Sequence, residues 1–246
     1  MSEQKIALIT GANRGIGFET ARQLGQQGIK VLVGARSAEN GKEAETKLRN
    51  EGFDAEFVLL DVDNETTHAS AAKYIEETYG KLDILINNAG IWIEGFENGA
   101  PVPASRTTVD IFRKTFDTNF FNTIAVTQTF LPLVKKADAG RIVFLSSILG
   151  SLGLHSDPAS PIYNYKVPAY NISKTALNGY AVHLAHELKD TNIKVNAAHP
   201  GSVLTDMNAN GDLSLEEGAK TSVALATLGT DGYTGRFIHL GEELPW

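Results

Sequence analysis

Short apolar runs alternate with longer amphipathic stretches along almost the whole chain, and this alternation constrains the fold more than any other feature. The apolar runs predict seven strands, at 6–10, 31–35, 55–60, 82–86, 141–145, 194–197 and 236–240. The amphipathic stretches predict six helices, at 16–27, 40–51, 66–79, 109–134, 170–189 and 214–228. Strands and helices that alternate at this spacing form a parallel sheet covered by helices on both faces. We therefore predict one doubly wound α/β domain over residues 1–246, with about seven parallel strands.

Two segments interrupt the alternation and are predicted to shape a substrate pocket. Residues 150–167 carry glycine, proline, serine and aromatic residues without a helical period, and residues 201–213 are rich in asparagine, aspartate and glycine. Such composition favours loops. We expect the second loop to be mobile.

Composition excludes several classes of function. The chain has no cysteine, which excludes disulfides, thiolate zinc sites and cysteine nucleophiles. The net charge is −7 and the basic residues are scattered, so neither nucleic acid nor a membrane surface is an expected partner. No apolar run is long enough to span a bilayer and no secretory signal is evident, so we expect a cytoplasmic protein.

A glycine-rich turn follows the first predicted strand, where residues 10–17 read T-G-A-N-R-G-I-G. Glycines between a strand and a helix allow a tight turn and the close approach of a ligand, and the helix N-terminus offers unpaired amides to phosphate. The turn therefore predicts binding of a dinucleotide.

Two arginines near this turn indicate which dinucleotide is bound. Arg14 lies where the helix begins, and a cation there opposes the helix dipole, so it is either a solvated surface residue or the partner of an anion. Arg36 and Ser37 follow the second strand, where an NAD-binding protein carries an acid for the ribose 2′-hydroxyl. An arginine and a small hydroxyl residue in place of that acid both suit a 2′-phosphate, so we predict NADPH rather than NADH.

Tyr170 and Lys174 lie four positions apart within a predicted helix, and therefore on one face of it. A free tyrosine titrates near pKa ~10, and a neighbouring cation favours its ionised form. Taken alone, such a pair is commonly a half-buried aromatic residue beside a solvated lysine. Its occurrence downstream of the glycine turn favours a catalytic proton donor.

Together these motifs resemble the short-chain dehydrogenase/reductase family over essentially the whole chain. The further matching motifs are Asp61-Val62, N-N-A-G at 87–90, Asn119, Ser146-Ser147, and Pro200-Gly201 with Thr205. Within the family the chain is most similar to NADPH-dependent carbonyl reductases, through Arg36, residues 118–121, 205–207 and 216–219, and Trp246. Ser147 and Tyr170 are further apart than in the family's commonest pattern, because of the extra residues within 150–167.

The resemblance implies a Rossmann-type fold and the reversible, NADPH-dependent reduction of an aldehyde or ketone to an alcohol. Tyr170 would be the general acid, Ser147 would bind the carbonyl oxygen, Lys174 would lower the tyrosine pKa and bind the nicotinamide ribose, and Asn119 would hold a water. The residues expected to contact the cofactor are Gly11, Asn13, Arg14, Gly15, Ile16, Gly17, Arg36, Asp61, Val62, Asn88, Ala89, Gly90, Tyr170, Lys174, Pro200, Gly201, Val203 and Thr205.

We expect the substrate to be a small, uncharged and largely apolar carbonyl compound. The predicted pocket residues are Trp92, Ile93, Ile148, Leu149, Tyr163, Tyr165 and Met207. None of them offers the arginine fork that suits a carboxylate or phosphate. A homodimer, a homotetramer and a monomer are all compatible with the sequence.

Alternative functions would require other sequence motifs. A serine hydrolase would need a G-x-S-x-G elbow, which does not occur. An NADPH-binding sensor without turnover would not require the tyrosine–lysine pair. His183, His186 and Glu187 do not form the H-E-x-x-H order of a zinc helix, so we expect no metal site. His155 and His199 flank pocket segments and are expected to line the pocket.

Overall fold

The structure is a computed structural model, which describes residues 4–97 and 99–246. The strands are β1 (Ile6–Thr10), β2 (Lys30–Ala35), β3 (Ala55–Leu59), β4 (Ile84–Asn87), β5 (Phe96–Glu97), β6 (Ala100–Pro101), β7 (Arg141–Leu145), β8 (Lys194–Ala198), β9 (Phe237–His239) and β10 (Glu242–Glu243). The α-helices are α1 (Gly15–Gln26), α2 (Ala38–Asn50), α3 (Glu65–Tyr79), α4 (Val109–Phe116), α5 (Asn122–Val134), α6 (Leu152–Ser156), α7 (Pro168–Glu187) and α8 (Leu215–Ala226).

A single eight-stranded sheet forms the centre of the domain, with the strand order β10-β9-β8-β7-β4-β1-β2-β3. All neighbours are parallel except β9 and β10. The predicted fold class is therefore confirmed, with one antiparallel edge strand added. Because the chain winds in opposite directions from β1 and β4, a crevice opens at the carboxyl ends of these two strands.

Hydrophobic side chains cover both faces of the sheet. Adjacent strand residues point to opposite faces. Accordingly, Leu8 and Leu85 pack with Phe130 of α5 on one face, whereas Ile9 and Ile86 pack in the core of the other. Since both faces are filled, the ends of the strands are where a ligand can approach, and in open α/β sheets this is at the carboxyl ends.

Two local predictions were wrong, and one element was missed. The predicted helix 109–134 is interrupted by a π-helical turn at Asp117–Phe121, because the side chain of Asn119 is held by the backbone of a distant loop. Segment 150–167 contains the short helix α6, whose first turn is capped by Ser151. The hairpin β5–β6 was not foreseen, because two-residue strands carry no alternating pattern.

The described part of the chain contains no helix that is both long and apolar enough to cross a membrane.

Thr10 ties the carboxyl ends of β1 and β4 together. Its side chain is 1% exposed, and its Oγ1 accepts hydrogen bonds from Asn88 N and Ala89 N, each at 2.9 Å. Asn88 Nδ2 in turn donates to Thr10 O at 2.8 Å. The glycine turn after β1 and the turn after β4 are therefore joined into one rigid corner.

We predict that Thr10→Val lowers the free energy of unfolding by about 2 kcal/mol, because two amides lose their acceptor. Urea denaturation measures this change. Thr46→Val is the matched control, since the Thr46 hydroxyl is exposed on α2, and we expect a change within about 0.5 kcal/mol. A Thr10→Val protein as stable as this control would contradict the structural role of the corner.

Candidate active site

A cavity of about 470 Å³ lies at the carboxyl ends of the central strands. Sixteen of the residues predicted to contact the cofactor line it: Gly11, Asn13, Arg14, Gly15, Ile16, Gly17, Arg36, Asp61, Val62, Asn88, Ala89, Gly90, Tyr170, Lys174, Pro200 and Thr205. Gly201 and Val203 were also predicted but do not line it. Val203 is 3% exposed and packs beside Gly218 of α8.

The glycine turn gives the cavity a floor without side chains. Gly11 and Gly15 adopt positive φ angles of 65° and 58°, which glycine tolerates best. A Cβ on Gly17 would lie 2.5 Å from Asn88 Nδ2 and 2.6 Å from Gly11 O, so only glycine lets this corner close. No side chain caps the N-terminus of α1 and its first turn carries no acid. Its amides are thus available to an anion such as a diphosphate.

The two predicted phosphate partners differ in their surroundings. Arg36 is exposed at the cavity and has no ion-pair partner among the described residues. Arg14 instead donates to Asp206 Oδ2 at 2.7 Å, and both side chains are mostly exposed. Asp206 belongs to segment 201–213, so this ion pair connects that segment to the glycine turn.

Tyr170, Ser147 and Lys174 meet beside the cavity. The Tyr170 phenol interacts with the side chain of Ser147, the second residue after β7, which is 8% exposed. Lys174, one turn further along α7, places Nζ 5.7 Å from the centre of the Tyr170 ring and donates to Leu145 O at 2.8 Å. Two sequence-distant motifs are thereby brought to one point.

Asn119 lies in the π-helical turn and holds the loop that follows β4. Its Oδ1 accepts from Ile91 N at 2.7 Å, and its Nδ2 donates to Ile91 O at 2.9 Å and to Ser173 Oγ at 3.1 Å. A Cβ on Gly90 would lie 3.3 Å from Asn119 Oδ1 and 3.5 Å from Lys174 Nζ. The loop, the π-helical turn and α7 are therefore packed against one another at this glycine.

Comparison with known proteins identifies the family. The family model described as short chain dehydrogenase matches residues 5–214. This protein is a short-chain dehydrogenase/reductase. Short-chain dehydrogenase anuI of Penicillium roqueforti is 39% identical over 233 residues, which cover 92% of this chain and 89% of that protein.

Carbonyl reductases are among the similar members of the family. Carbonyl reductase [NADPH] 1 of Rattus norvegicus is 32% identical over 286 residues, covering 100% of this chain and 99% of that protein. The NADPH-bound carbonyl reductase from chicken fatty liver superimposes with a TM-score of 0.83 at 25% identity, covering 100% of this chain and 96% of that one. The resemblance inferred from the motifs is confirmed, and the chain is an oxidoreductase of this family.

The pKa of Tyr170 shifts in the direction opposite to the prediction. Burial raises it to about 12, the hydrogen bond with Ser147 lowers it, and the charges of Glu94 and Tyr165 raise it. Lys174 was expected to lower it, but its Nζ is bonded to a backbone carbonyl, and burial lowers its own pKa to about 8. The dehydrogenase/reductase therefore holds this phenol protonated at neutral pH.

Aromatic side chains predicted for the substrate pocket surround Tyr170. The Trp92 ring stacks on Tyr170 with 5.5 Å between centroids, and Tyr165 meets Trp92 edge-on at 6.2 Å. Met207 lines the cavity, and Ile93 is exposed on the same loop as Trp92.

The remaining pocket candidates lie in the segment after β7. Ile148 and Leu149 form a 3₁₀ turn that begins after Ser147. Tyr163 packs instead beneath the ammonium of Lys166, 4.8 Å from its ring centre.

His199 has a structural role that the sequence did not indicate. It is buried, and its Nδ1 accepts from Ile148 N at 3.2 Å and Gly201 N at 3.3 Å. Burial, together with the neighbouring His239, lowers its pKa to about 3, so the ring stays neutral and accepts both bonds. His199 thereby joins the turn after Ser147 to the turn after β8.

The other histidines also serve the fold or the surface. His155 was expected to line the pocket, and its ring instead contacts Leu149 O at 3.0 Å and Asn171 Nδ2 at 3.1 Å. Within residues 4–97 and 99–246 no group of three histidine, aspartate or glutamate side chains is placed to hold a metal ion.

We predict that Lys174→Met raises the free energy of unfolding of the cofactor-free protein at pH 7 by about 1–3 kcal/mol. The folded-state pKa of about 8 lies below the usual 10.5, so burial penalises the ammonium. The unfolded chain then binds more protons between these two pH values, and stability rises as the pH increases from 8 to 10.5.

Urea denaturation at pH 7 and pH 10 tests this, with Lys189→Met as the control because Lys189 is exposed on the surface after α7. The gain in the free energy of unfolding from Lys174→Met should shrink at pH 10. The change caused by Lys189→Met should be near zero at both pH values. A Lys174→Met protein less stable than the wild type at pH 7 would show that the ammonium stabilises the fold.

Proposed function

We propose that this protein reduces an aldehyde or ketone to an alcohol, reversibly and with NADPH. The observation that carries the proposal is the partly buried Tyr170 phenol at the wall of the cavity, kept protonated by its raised pKa and interacting with Ser147. The carbonyl reductase from rat and its counterpart from chicken fatty liver, both named with NADPH, support the same reaction.

The residues around the cavity suit NADPH. The uncapped amides of α1 and the open backbone at Gly15 fit its diphosphate, since a Cβ on Gly15 would meet no atom within 4 Å. Arg36 is free to pair with the 2′-phosphate, and Asp61 and Val62 line the cavity where the resemblance places the adenine. When bound, NADPH supplies the hydride that the protein itself lacks.

The side chains of the protein handle the proton. Tyr170 donates its phenolic proton to the carbonyl oxygen as negative charge develops there, and its raised pKa keeps that proton available at neutral pH. Ser147 lies within hydrogen-bonding reach of the same phenol and would donate to the same oxygen. Lys174 lines the same cavity and would bind the nicotinamide ribose, as the resemblance implies.

The surroundings of Tyr170 favour an uncharged, apolar substrate. Trp92 and Tyr165 offer aromatic surface beside the phenol, and Met207 lies on segment 201–213 at the cavity. A carboxylate or phosphate group would be drawn to Arg14 and Arg36, which line the part of the cavity proposed for the cofactor, rather than to this aromatic wall.

We predict that Tyr170→Phe lowers kcat for reduction by about a thousandfold, within the range for loss of a general acid, and leaves the Kd of NADPH nearly unchanged. The hydroxyl acts in the transition state, whereas the glycine turn and Arg36 are untouched. Initial rates with a panel of neutral aldehydes and ketones measure kcat, and fluorescence titration measures the Kd of NADPH.

Tyr180→Phe is the matched control, because Tyr180 lies on the same helix and packs against Phe144 of the core, away from the cavity. It should retain wild-type kcat. If Tyr170→Phe keeps a tenth of the activity, the proton comes from elsewhere. If NADPH binds but the wild type turns over no carbonyl compound, an NADPH-binding sensor becomes the better description.

We predict a preference for NADPH over NADH of at least about tenfold in kcat/KM, since a charge-assisted contact to phosphate contributes about 1.5–3 kcal/mol. Arg36→Ala should remove most of this preference by weakening NADPH alone. Arg49→Ala, an exposed arginine on α2 paired with Glu45, should change neither value. Equal kcat/KM values for the two cofactors in the wild type would rule out recognition of the 2′-phosphate.

A further inference from the structure

Glu94 is a buried acid at the start of the catalytic helix. It lies on the loop after β4, is 7% exposed, and contacts α7 although the two are 75 residues apart in sequence. One carboxylate oxygen accepts from Ala169 N, and the other accepts from Tyr170 N at 2.9 Å. None of the motifs in the sequence pointed to this residue.

Helix α7 has no local cap that could replace this contact. Val167, the residue before the helix, has no polar side chain, and Pro168 opens the helix without an N–H. Ala169 and Tyr170 therefore carry the first amides of α7 that need an acceptor. Glu94 accepts from both of them.

The geometry fits the ionised form of Glu94. Both oxygens accept amide protons, and the N-terminus of a helix favours a negative charge. Burial raises the Glu94 pKa, while the two amides act in the opposite direction.

The loop that carries Glu94 also holds the ring of Tyr170. Residues 91–97 are anchored at Ile91 by Asn119, contact the Tyr170 ring through Trp92, and reach the Tyr170 amide through Glu94. The backbone and the ring of the proton donor are thus held by one short segment.

We propose that Glu94 is a positioning residue for the reduction: by holding the amides of Ala169 and Tyr170, it fixes the first turn of α7 and so aims the Tyr170 phenol at Ser147. This inference rests on the proposed function. Glu94 does not touch the reacting atoms and acts through Tyr170 alone.

The negative charge of Glu94 gives the role a signature that packing alone lacks. The groups that face Tyr170 are Ser147 from the end of β7, Tyr165 from the inserted segment, Lys174 from α7 and Glu94 itself. Among these, Glu94 is the anion that opposes ionisation of the phenol. Replacing Glu94 by a neutral residue therefore favours the phenolate, so Tyr170 loses its proton, and with it the ability to act as an acid, at a lower pH.

The test compares Glu94→Ala, Glu94→Gln and a control, Glu56→Gln. Glu56 lies on β3, at the far edge of the sheet, and its carboxylate accepts hydrogen bonds from Tyr74 and Tyr79 of α3. We expect Glu94→Ala to lower kcat by about tenfold or more, as a 1.4 kcal/mol loss of transition-state stabilisation would, with the KM for NADPH unchanged. Glu94→Gln keeps one acceptor, so its kcat should fall less.

The pH dependence of kcat distinguishes an effect of Glu94 on Tyr170 from a general effect on protein stability. In Glu94→Gln the alkaline limb of kcat for reduction should move to lower pH, whereas Glu56→Gln should leave it in place. Wild-type kcat in Glu94→Ala, or an unmoved limb in Glu94→Gln, would overturn the inference.

Hydrogen exchange gives a readout that does not need turnover. Amides of residues 169–172 should exchange faster in both Glu94 variants than in the wild type or Glu56→Gln. Unchanged exchange would also overturn the inference. If the wild type reduces no carbonyl compound, that result rejects the proposed function. The exchange data then still decide whether Glu94 stabilises the first turn of α7.

Discussion

The packing of the first two turns of α7 against the end of β7 and the π-helical turn is the constraint on which the site depends. Lys174 donates to Leu145 O at the end of β7, and Ser173 receives a hydrogen bond from Asn119 in the π-helical turn. Gly150 allows close approach from the other side, since a Cβ there would lie 2.9 Å from the backbone carbon of Lys174. These contacts hold Tyr170 beside the cavity with little freedom to move.

Burial explains both the chemistry of the site and its cost to stability. It keeps the Tyr170 phenol protonated, with a pKa near 12, and it leaves the Lys174 ammonium poorly solvated, with a pKa near 8. A protein that only needed to fold would place a methionine or leucine at position 174. Retaining a charged group there is the kind of local destabilisation that marks functional sites.

The sequence predicts those parts of the fold that depend on local patterns. Strands β1 and β7 begin and end at the predicted residues, because the core of each is an apolar run, 6–9 and 142–145, with polar, charged or glycine residues on both sides. The π-helical turn could not be predicted, since it depends on Asn119 binding a loop 28 residues away. Strand β10, with two residues, is too short to carry a pattern.

The same distinction holds for the site. The glycine turn and the Tyr170–Lys174 spacing are local signals, and the residues that carry them line one cavity. The Arg14–Asp206 pair joins residues 192 positions apart, and the contact of Glu94 with α7 is equally non-local. The sign of the Tyr170 pKa shift was mispredicted because it is set by burial, which four-residue spacing on a helix does not reveal.

The most direct test of the central claim, that the Tyr170 phenol supplies the proton, changes its acidity without changing its shape. Tyr170 is replaced by 3-fluorotyrosine, whose phenol is more acidic, and the single-turnover rate of carbonyl reduction with NADPH is measured against pH. The account predicts that the alkaline limb of the profile moves to lower pH with the acidity of the phenol. A profile that superimposes on the wild type would show that another group donates the proton.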